Sequence, residues 1–320
     1  MALVQGEQNL KIAVIGAGAM GSLFAGYFAK NNLDVWAYDV WKEHIASIQN
    51  RGLRMTRRQQ VQQIGLKATS DPSEPGQADL VLIFVKYGHT RQALQNSLPM
   101  IGPNTLVLTL QNGIGNVEIL REMIPDDRIL FGLTTLTSEL VGPGHIEESF
   151  QGQGETYFWP LCGKVNDSIR QVSALFNQAG IHTEISADVE LRIWKKLIVN
   201  TCYNTLSAIT HLKVGDLIDQ DEIRPILKGV VSEIVKIAQK NGIRLEEIEA
   251  LEFLKQVGEE ARLHVPSMLV DVNHKRKTEI ECLNGAVIRE GKKLGIATHT
   301  NEVLYSLVRI LESTYDNQVI

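Results

Sequence analysis

The sequence predicts an α/β domain with a parallel sheet, followed by an all-α domain. In the first half, short apolar runs alternate with helical stretches, which is the order of βαβ units. A glycine-rich segment, residues 16–21, joins the first such run to the first helix. From about residue 188 onward, helical periodicity replaces the alternation. We therefore predict a domain boundary near residue 187, with domains at 1–186 and 187–320.

The predicted strands of the first domain are short and mostly apolar, and they lie at 11–15, 34–38, 79–85, 105–110, 129–134 and 181–185. The runs 79–85 and 105–110 are apolar at almost every position, which is typical of strands buried on both faces of a parallel sheet. Residues 53–69 predict a small hairpin, and the glycine-rich stretch 142–160 predicts an antiparallel extension. Helices are expected at 19–31, 41–49 and 168–179.

The second domain shows helical periodicity interrupted by glycine or proline at 215, 225, 242, 266 and 295. Each interruption predicts a helix boundary or a kink. The stretch that begins at Pro266 and Ser267 predicts one long helix, extending to about residue 287. Ser267 then has the position of an ordinary N-cap.

The composition excludes several classes of protein. The chain has 320 residues, 44% of them apolar and 22% charged, with 32 basic and 37 acidic residues and a net charge of −5. A mildly acidic chain is not expected to bind nucleic acid, and its two dense basic stretches, 51–58 and 274–277, are expected to be solvated or to contact the charge of a ligand. The longest apolar run, 78–85, is the length of a strand, so no membrane span is expected. The N-terminal residues 1–10 lack the pattern of a signal peptide.

The cysteines indicate a reducing compartment. Cys162, Cys202 and Cys282 are odd in number, widely spaced and without a CxxC pair. This pattern argues against a disulfide framework and against a zinc site. We therefore expect a cytoplasmic protein with no bound metal.

The segment Gly16-Ala17-Gly18-Ala19-Met20-Gly21 has the GxGxxG pattern of a dinucleotide site, between a strand and a helix. Gly16 would allow the tight turn, Gly18 the approach of a pyrophosphate, and Gly21 close packing of helix on strand. Ala19 and Met20 begin the helix whose N-terminus attracts the phosphates. This predicts a Rossmann-type parallel sheet domain. The alternative is a tight βα turn without a ligand.

Asp39 follows the second strand, 18 residues after Gly21. An acidic residue there accepts a hydrogen bond from the ribose 2′-hydroxyl and repels a 2′-phosphate, which favours NAD over NADP. Alternatively, Asp39 caps the helix that follows it. The nearby arginines could still reach a 2′-phosphate, and they are Arg51, Arg54, Arg57 and Arg58.

Lys196, Asn200 and Asn204 recur every four residues within the apolar stretch 191–209, so they share one face of a predicted helix. Buried amides and a buried ammonium are costly unless they find partners, and three in a row indicate a polar cleft. Alternatively, Lys196 extends to water and the asparagines bond to nearby backbone.

Polar residues also follow two predicted strands. Lys86 ends the strand 79–85, and Asn112 follows the strand 105–110 within QNGIG. Ligands bind at the carboxyl ends of strands in open α/β sheets, so we expect both near a cofactor, although Asn112 could simply form a turn. In the helical half, Ser267 at a helix start could receive a carboxylate, and Glu279 has apolar neighbours but could equally be a surface charge.

Taken together, these motifs resemble the ketopantoate reductase family over essentially the whole chain. The resemblance rests on GAGAMG, on VK at 85–86, on QNGIGN at 111–116, on WKKLIVN followed by Asn204, and on PSMLVDV and KTEIECLNGAV near the end. The set is specific in this order, whereas any single motif is not. It implies a Rossmann domain, a helical domain and a substrate cleft between them.

The resemblance also implies roles for individual positions. Lys196 matches the general acid of the family, and Glu279 matches its active-site glutamate. The positions that match substrate-binding residues are Asn200, Asn204 and Ser267. The positions that match residues lining the nicotinamide and the substrate are Lys86 and Asn112.

The implied activity is hydride transfer from a reduced nicotinamide to the C2 carbonyl of a small 2-oxo acid, ketopantoate to pantoate in pantothenate biosynthesis. Burial beside Leu197 and Ile198 should lower the pKa of Lys196, and Glu279 should partly restore it. Domain closure would exclude water. A long C-terminal helix could form a homodimer.

Two departures from the family pattern leave alternatives open. Thr205 stands where the family usually has proline, and Asp39 stands where NADPH-using members tend to carry a basic residue. Some relatives are NAD-dependent D-2-hydroxyacid dehydrogenases of the mandelate type, so NADP and NAD both remain candidate cofactors. A third class is a cofactor-binding regulatory protein without catalysis.

Overall fold

The computed structural model describes residues 10–149 and 154–317. Two predictions lie partly outside these ranges: the interpretation of residues 1–10 and the part of the extension at 150–153. The chain divides into two compact units. The first comprises Met1–Gln111 and Asn116–Val189, and the second comprises Asn112–Gly115 and Glu190–Ile320.

The first unit contains every strand among the described residues. These are β1 (Ile12–Ile15), β2 (Val35–Tyr38), β3 (Leu53–Arg57), β4 (Gln60–Ile64), β5 (Lys67–Thr69), β6 (Ala78–Ile83), β7 (Ile101–Thr109), β8 (Ile129–Thr134), β9 (Ser138–Gly142), β10 (His145–Glu148), β11 (Thr156–Pro160) and β12 (Thr183–Ile185). Its helices are α1 (Ala19–Lys30), α2 (Lys42–Arg51), α3 (Thr90–Asn96), α4 (Asn116–Arg121) and α5 (Asp167–Gln178), with 3₁₀ turns at Tyr87–His89, Leu98–Met100 and Asp126–Arg128.

Within the described ranges, eight strands form one sheet in the order β12-β11-β8-β7-β6-β1-β2-β5. All neighbouring strands run parallel except β11 and β8, which are antiparallel. The order reverses at β1, between β2 and β6, and such a reversal is where open α/β sheets bind ligands. The predicted Rossmann-type sheet is confirmed.

Both faces of this sheet are covered by apolar packing. In β1, Ile12 and Val14 belong to one core cluster, whereas Ala13 and Ile15 belong to another. All four side chains are almost fully buried. This explains why the central strands read as continuous apolar runs instead of alternating ones.

A second, four-stranded sheet has the order β4-β3-β10-β9. The hairpin β3–β4 and the pair β9–β10 are antiparallel, and β3 pairs with β10 in parallel. The predicted hairpin and the antiparallel extension therefore form one sheet, while β11 joins the main sheet.

The regular secondary structure in the described part of the second unit consists of helices. Its helices are α6 (Val189–Val199), α7 (Thr205–Thr210), α8 (Val214–Ile218), α9 (Ile223–Lys240), α10 (Glu247–Glu260), α11 (Ser267–Asn273), α12 (Asn284–Leu294) and α13 (His299–Ser313), with a π-helical turn at Asn200–Asn204. The core of this unit includes α9, which buries Val231, Ile234 and Val235. The all-α prediction is confirmed.

The predicted long helix from residue 266 to 287 is wrong. The structure has α11, then a non-helical segment at 274–283, then α12. Lys275 adopts a left-handed conformation with φ 52°, which ends α11. Thr278 then bonds through both its backbone N–H and its hydroxyl to Glu312 of α13. These tertiary bonds replace the helical ones that the local sequence favours.

No helix between residues 10–149 or 154–317 combines the length and apolar character that a membrane crossing requires. The same two ranges contain no cluster of three or more histidine, cysteine, aspartate or glutamate residues suited to hold a metal ion.

Candidate active site

The glycine turn between β1 and α1 has the geometry that its spacing predicts. Gly16 has φ 90°, and a Cβ there would lie 2.7 Å from Val85 Cγ1. A Cβ on Gly21 would lie 1.9 Å from the Gly16 carbonyl oxygen. A side chain at either position would therefore separate the helix from the strand. These two glycines make the tight turn and the close helix contact.

Gly18 has a different environment. A Cβ built on Gly18 meets nothing within 4 Å, so the space beside this backbone is open. Gly18 is the N-cap of α1, Ala19 and Met20 begin that helix, and its first turn carries no acidic residue. The unpaired N–H groups and the positive end of the helix dipole favour an anion here. The turn therefore fits the pyrophosphate of a dinucleotide.

A buried hydrogen-bonded chain supports the glycine turn, and the sequence analysis did not identify it. Ser22 Oγ donates to the Ala17 carbonyl at 2.7 Å and lies 3.2 Å from His44 Nε2. The Gly144 backbone N–H donates to His44 Nδ1 at 3.0 Å. Burial lowers the pKa of His44, which favours the neutral ring that this acceptor role requires. The His44 ring thus connects the turn that precedes β10 to the glycine turn.

Asp39 lies directly after β2, whose last residue, Tyr38, accepts the Gly16 N–H at 2.9 Å. Asp39 Oδ1 accepts the Trp41 backbone N–H at 2.9 Å, and Trp41 itself is the N-cap of α2. The interpretation of Asp39 as the helix cap is therefore wrong: it forms a local turn before the helix. Asp39 thus directly follows the residue of β2 that bonds to the glycine turn.

Two of the arginines considered for a 2′-phosphate have partners elsewhere. Arg51 donates to Ser47 Oγ at 2.8 Å, and Arg57 Nε lies 3.3 Å from Glu148. Both guanidinium groups therefore contact residues other than Asp39.

The carboxyl ends of β6 and β7 are linked by Gln111. Its side-chain amide donates to the Val85 carbonyl at 2.5 Å and to Thr90 Oγ1 at 3.0 Å. Lys86, which follows Val85, is exposed. Val85 is the residue that a side chain on Gly16 would strike. Lys86 is thus adjacent in sequence to a residue that packs on the glycine turn.

In the helical unit, Lys196 lies on α6 among apolar residues, with Leu197 and Ile198 fully buried. Burial lowers the pKa of Lys196 from 10.5 to about 8, and the Glu279 carboxylate partly opposes this effect. Both directions agree with the sequence analysis. The neighbouring Lys195 instead forms an ion pair with Glu249 at 2.6 Å. The two adjacent lysines therefore have different environments.

Asn112 and Glu279 are in direct contact. Asn112 Nδ2 donates to Glu279 Oε2 at 2.9 Å. The backbone after Asn112 also contacts this region. The Ile114 N–H donates to the Cys282 carbonyl at 3.3 Å, and a Cβ on Gly113 would lie 2.0 Å from that oxygen. Segment 112–115 therefore packs on segment 279–282 of the helical unit. Lys196, Glu279 and Asn112 form one cluster of ammonium, carboxylate and amide.

The predicted continuous helix over 191–209 is interrupted by the π turn, which begins at Asn200 and ends at Asn204. In an α-helix, residues four apart are offset by about 40° around the axis. The wider π turn changes this offset, so the spacing of the two asparagines is not that of a regular α-helix. Asn204 is buried and Asn200 is half-buried. π turns occur frequently at functional sites.

Ser267 is not an N-cap. Pro266 has that position, and Ser267 is the first residue of α11, with an exposed side chain.

The departure at Thr205 has a structural explanation. Thr205 Oγ1 donates to Asn284 Oδ1 at 2.7 Å, and Asn284 Nδ2 donates to Asn301 Oδ1 at 3.1 Å. All three residues are fully buried. A proline at 205 could not provide this hydroxyl donor. The threonine therefore completes a buried polar chain beside the π turn.

Two family profiles match most of the chain. Residues 12–161 match the profile described as ketopantoate reductase PanE/ApbA, and residues 188–312 match the profile of its C-terminal domain. Among curated proteins, the 2-dehydropantoate 2-reductase of Pyrococcus horikoshii is 36% identical over 305 residues, which is 95% of this chain and 98% of that one. The enzyme of the same name from Streptococcus pyogenes serotype M18 is 33% identical over 309 residues, 96% and 99% of the two chains.

Solved structures resemble the chain over nearly its full length. A ternary structure of D-mandelate dehydrogenase with NADH and anilino(oxo)acetate has a TM-score of 0.91 at 29% identity, covering 97% of this chain and 100% of that one. A PanE/ApbA family ketopantoate reductase from Ralstonia eutropha JMP134 has a TM-score of 0.87 at 32% identity, covering 96% and 100%.

Proposed function

The chain belongs to the ketopantoate reductase family, and from this premise we propose that it is an NAD(P)-dependent reductase of a 2-oxo acid, converting ketopantoate to pantoate. The observation that supports this most directly is the cluster of Lys196, Glu279 and Asn112 in the helical unit. A lysine with a lowered pKa beside a carboxylate is an arrangement suited to proton transfer.

The proposed proton donor is Lys196. When bound, the reduced dinucleotide supplies a hydride to the carbonyl carbon of the substrate. Negative charge then develops on the carbonyl oxygen, and the Lys196 ammonium stabilises it and donates a proton. A pKa of about 8 leaves the amine mostly protonated at neutral pH while making it a stronger acid than an ordinary lysine.

Glu279 and Asn112 complete the proposed catalytic cluster. The carboxylate keeps the amine protonated, and the amide of Asn112 fixes one carboxylate oxygen. We propose that Asn200 and Asn204 bind hydroxyl or carbonyl groups of the substrate, and that Ser267 binds its carboxylate. Their support is the π turn that carries both asparagines and, for the serine, the family pattern.

We propose that residues 1–186 bind the dinucleotide and that residues 187–320 bind the substrate and carry the proton donor. The proposed dinucleotide contacts include backbone around Gly16, Gly18, Ala19, Met20 and Gly21. The remaining proposed contacts are Asp39, Lys86 and Asn112. NADP and NAD both fit the family, and Asp39 supports NAD.

A second candidate function is the NAD-dependent interconversion of a bulkier D-2-hydroxy acid and its 2-oxo acid, with NAD⁺ oxidising the hydroxy acid and NADH reducing the oxo acid. It is favoured by Asp39 and by the structural similarity to D-mandelate dehydrogenase bound to NADH. The two candidates differ in the substrate's side chain and share the proton donor.

The experiment is a substrate panel followed at the nicotinamide absorbance. Ketopantoate, phenylglyoxylate and branched 2-oxo acids are each supplied with NADH and with NADPH, using the purified full chain. Preferential turnover of ketopantoate supports the first candidate, and preferential turnover of phenylglyoxylate with NADH supports the second. Binding of dinucleotide without turnover of any 2-oxo acid would contradict both.

A homodimer and a cytoplasmic location are also proposed. Val303, Leu307 and Ile310 are 59%, 41% and 58% exposed along one side of α13, and a second copy could cover this face. If it does, Leu307→Glu should halve the mass measured by light scattering. The three free cysteines support a reducing compartment. Fractionation of cells that express the protein tests the location.

A further inference from the structure

Segment 278–282, which contains Glu279, is attached to α13 on one side and to segment 112–115 on the other. We propose that Glu312 of α13 is a positioning residue that sets the place of the Glu279 carboxylate relative to Lys196. This inference rests on the proposed function for its kinetic consequence, but its structural basis is independent of the substrate.

The attachment to α13 begins at Thr278. Glu312 Oε1 accepts two hydrogen bonds from this one residue, from the backbone N–H at 2.7 Å and from the hydroxyl at 2.8 Å. The Glu312 side chain is only 7% exposed, and its other oxygen lies 3.3 Å from Arg309. Hydrogen bonds to a charged, mostly buried carboxylate are among the stronger ones in proteins.

The same hydroxyl also orders the backbone that follows. Thr278 Oγ1 accepts the Ile280 N–H at 3.2 Å, and the Glu279 carbonyl accepts the Cys282 N–H at 3.1 Å. The backbone on both sides of Glu279 is thereby fixed.

A second attachment follows two residues after Glu279. Glu281 Oε1 accepts the Tyr305 hydroxyl at 2.6 Å and lies 3.3 Å from Arg309, which also contacts Glu312. Because Glu281 is more exposed than Glu312, this attachment should contribute less. Glu279 therefore lies between two anchors on α13, and the buried one is Glu312.

The side chain of Glu279 faces away from these anchors, toward the cluster. It accepts from Asn112 at 2.9 Å, and it is the charged group that raises the pKa of Lys196 against burial. The nearby Cys282 is a neutral thiol because burial raises its pKa well above its ordinary value. If segment 278–282 shifts, the ammonium loses its stabilising charge.

Electrostatics determines the direction in which the pKa of Lys196 should change. Moving a carboxylate away from an ammonium lowers the pKa of the ammonium. Glu312→Ala should therefore make Lys196 lose its proton at lower pH. Glu312→Gln should behave more like the wild type, since its amide oxygen can still accept both bonds from Thr278. A role in folding alone would change the amount of folded protein and not this titration.

The experiment measures the Lys196 titration directly. In the full chain labelled with ¹³C at lysine Cε, the Lys196 signal is assigned by its loss in Lys196→Met and followed against pH by NMR. In parallel, kcat for 2-oxo acid reduction is measured against pH. Glu302→Ala is the control, because Glu302 is an exposed glutamate on the same helix that contacts Thr298 and His299 instead of segment 278–282.

We expect Glu312→Ala to lower the Lys196 pKa measured by NMR by about half a pH unit or more, and to move the alkaline decline of kcat to lower pH by the same amount. Glu302→Ala should leave both values unchanged. A folded Glu312→Ala protein with the wild-type titration would overturn the proposal. If Glu312→Ala does not fold, Thr278→Val replaces it as the test, because it removes one of the two bonds to Glu312. The proposal then requires the Lys196 titration to shift in the same direction. An unchanged titration in Thr278→Val overturns the proposal.

Failure of the proposed function has a different signature. A wild-type protein that reduces no 2-oxo acid contradicts the proposed reaction, while the NMR titration, which needs no substrate, still decides the role of Glu312.

Discussion

The side-chain amide of Asn112 donates a 2.9 Å hydrogen bond to the carboxylate of Glu279, across 167 positions of the chain. Asn112 follows a strand of the first unit, yet segment 112–115 groups with the helical unit. The contact fixes one oxygen of the carboxylate that acts on Lys196. The properties of this lysine lead to three of the four predictions below.

Replacing Lys196 should abolish most of the turnover. Lys196→Met removes the proposed proton donor while keeping a side chain of similar length. We expect kcat for 2-oxo acid reduction to fall by at least about 100-fold, the usual contribution of a general acid. Lys195→Met is the matched control: it is the adjacent lysine, but it pairs with Glu249, and its kcat should stay close to the wild-type value. Equal losses in the two variants would contradict the assignment.

The pH dependence of reduction should have an alkaline limb near 8. Reduction requires the protonated amine, so kcat should be constant below the Lys196 pKa of about 8 and decline above it. Oxidation of the hydroxy acid requires the neutral amine, so its kcat should rise over the same interval. Initial rates in both directions between pH 6 and pH 10 check this. Parallel profiles in the two directions would remove Lys196 as the acid and base.

The same lysine should reduce stability. Its pKa is lower in the folded protein than the ordinary value of 10.5, so the unfolded chain binds the proton more tightly. This reduction in the free energy of unfolding is fully present below pH 8 and disappears as the pH rises to about 10.5. Lys196→Met should therefore increase the free energy of unfolding at pH 7 by up to about 3 kcal/mol. Urea unfolding at pH 7 and at pH 10 measures the difference, and a variant less stable than the wild type at pH 7 would contradict this expectation.

Asp39 should determine which dinucleotide binds. Its carboxylate repels a 2′-phosphate, and Arg51 and Arg57 are engaged by Ser47 and Glu148. We expect tighter binding of NADH than of NADPH, and Asp39→Arg should reverse the order by at least about tenfold. Calorimetric titration of each dinucleotide, without substrate, provides the measurement. Asp34→Ala, at an aspartate that pairs with Lys67, is the control and should leave the order unchanged.

The parts of this structure that the sequence predicts are those with a local signal. The glycine turn follows from the spacing of Gly16, Gly18 and Gly21, and the lowered pKa of Lys196 follows from the apolar residues around it. The break in the predicted long helix does not, because residues 274–283 favour a helix locally. What opposes the helix is Glu312, 34 positions beyond Thr278, and no local pattern reveals such a partner.

The sequence analysis missed the role of the neutral His44 ring for a similar reason. Its partners, Ser22 and Gly144, lie 22 and 100 positions away. A lone histidine in the helix after the second strand gives no indication of these contacts, whereas the assembled sheet brings them together. The second sheet thus supports the glycine turn through the contact between Gly144 and His44, which only the fold creates.

The π turn at Asn200–Asn204 makes chain length in this segment as important as residue identity. Such a turn holds one more residue than an ordinary helical turn, so a regular helix with the same number of residues here would rotate everything beyond it by about 100°. Thr205 would then face away from Asn284, and the buried Leu206 would leave the core. Homologous chains that share this chemistry should therefore either keep the π turn or, where this segment is a regular helix, lack one residue here.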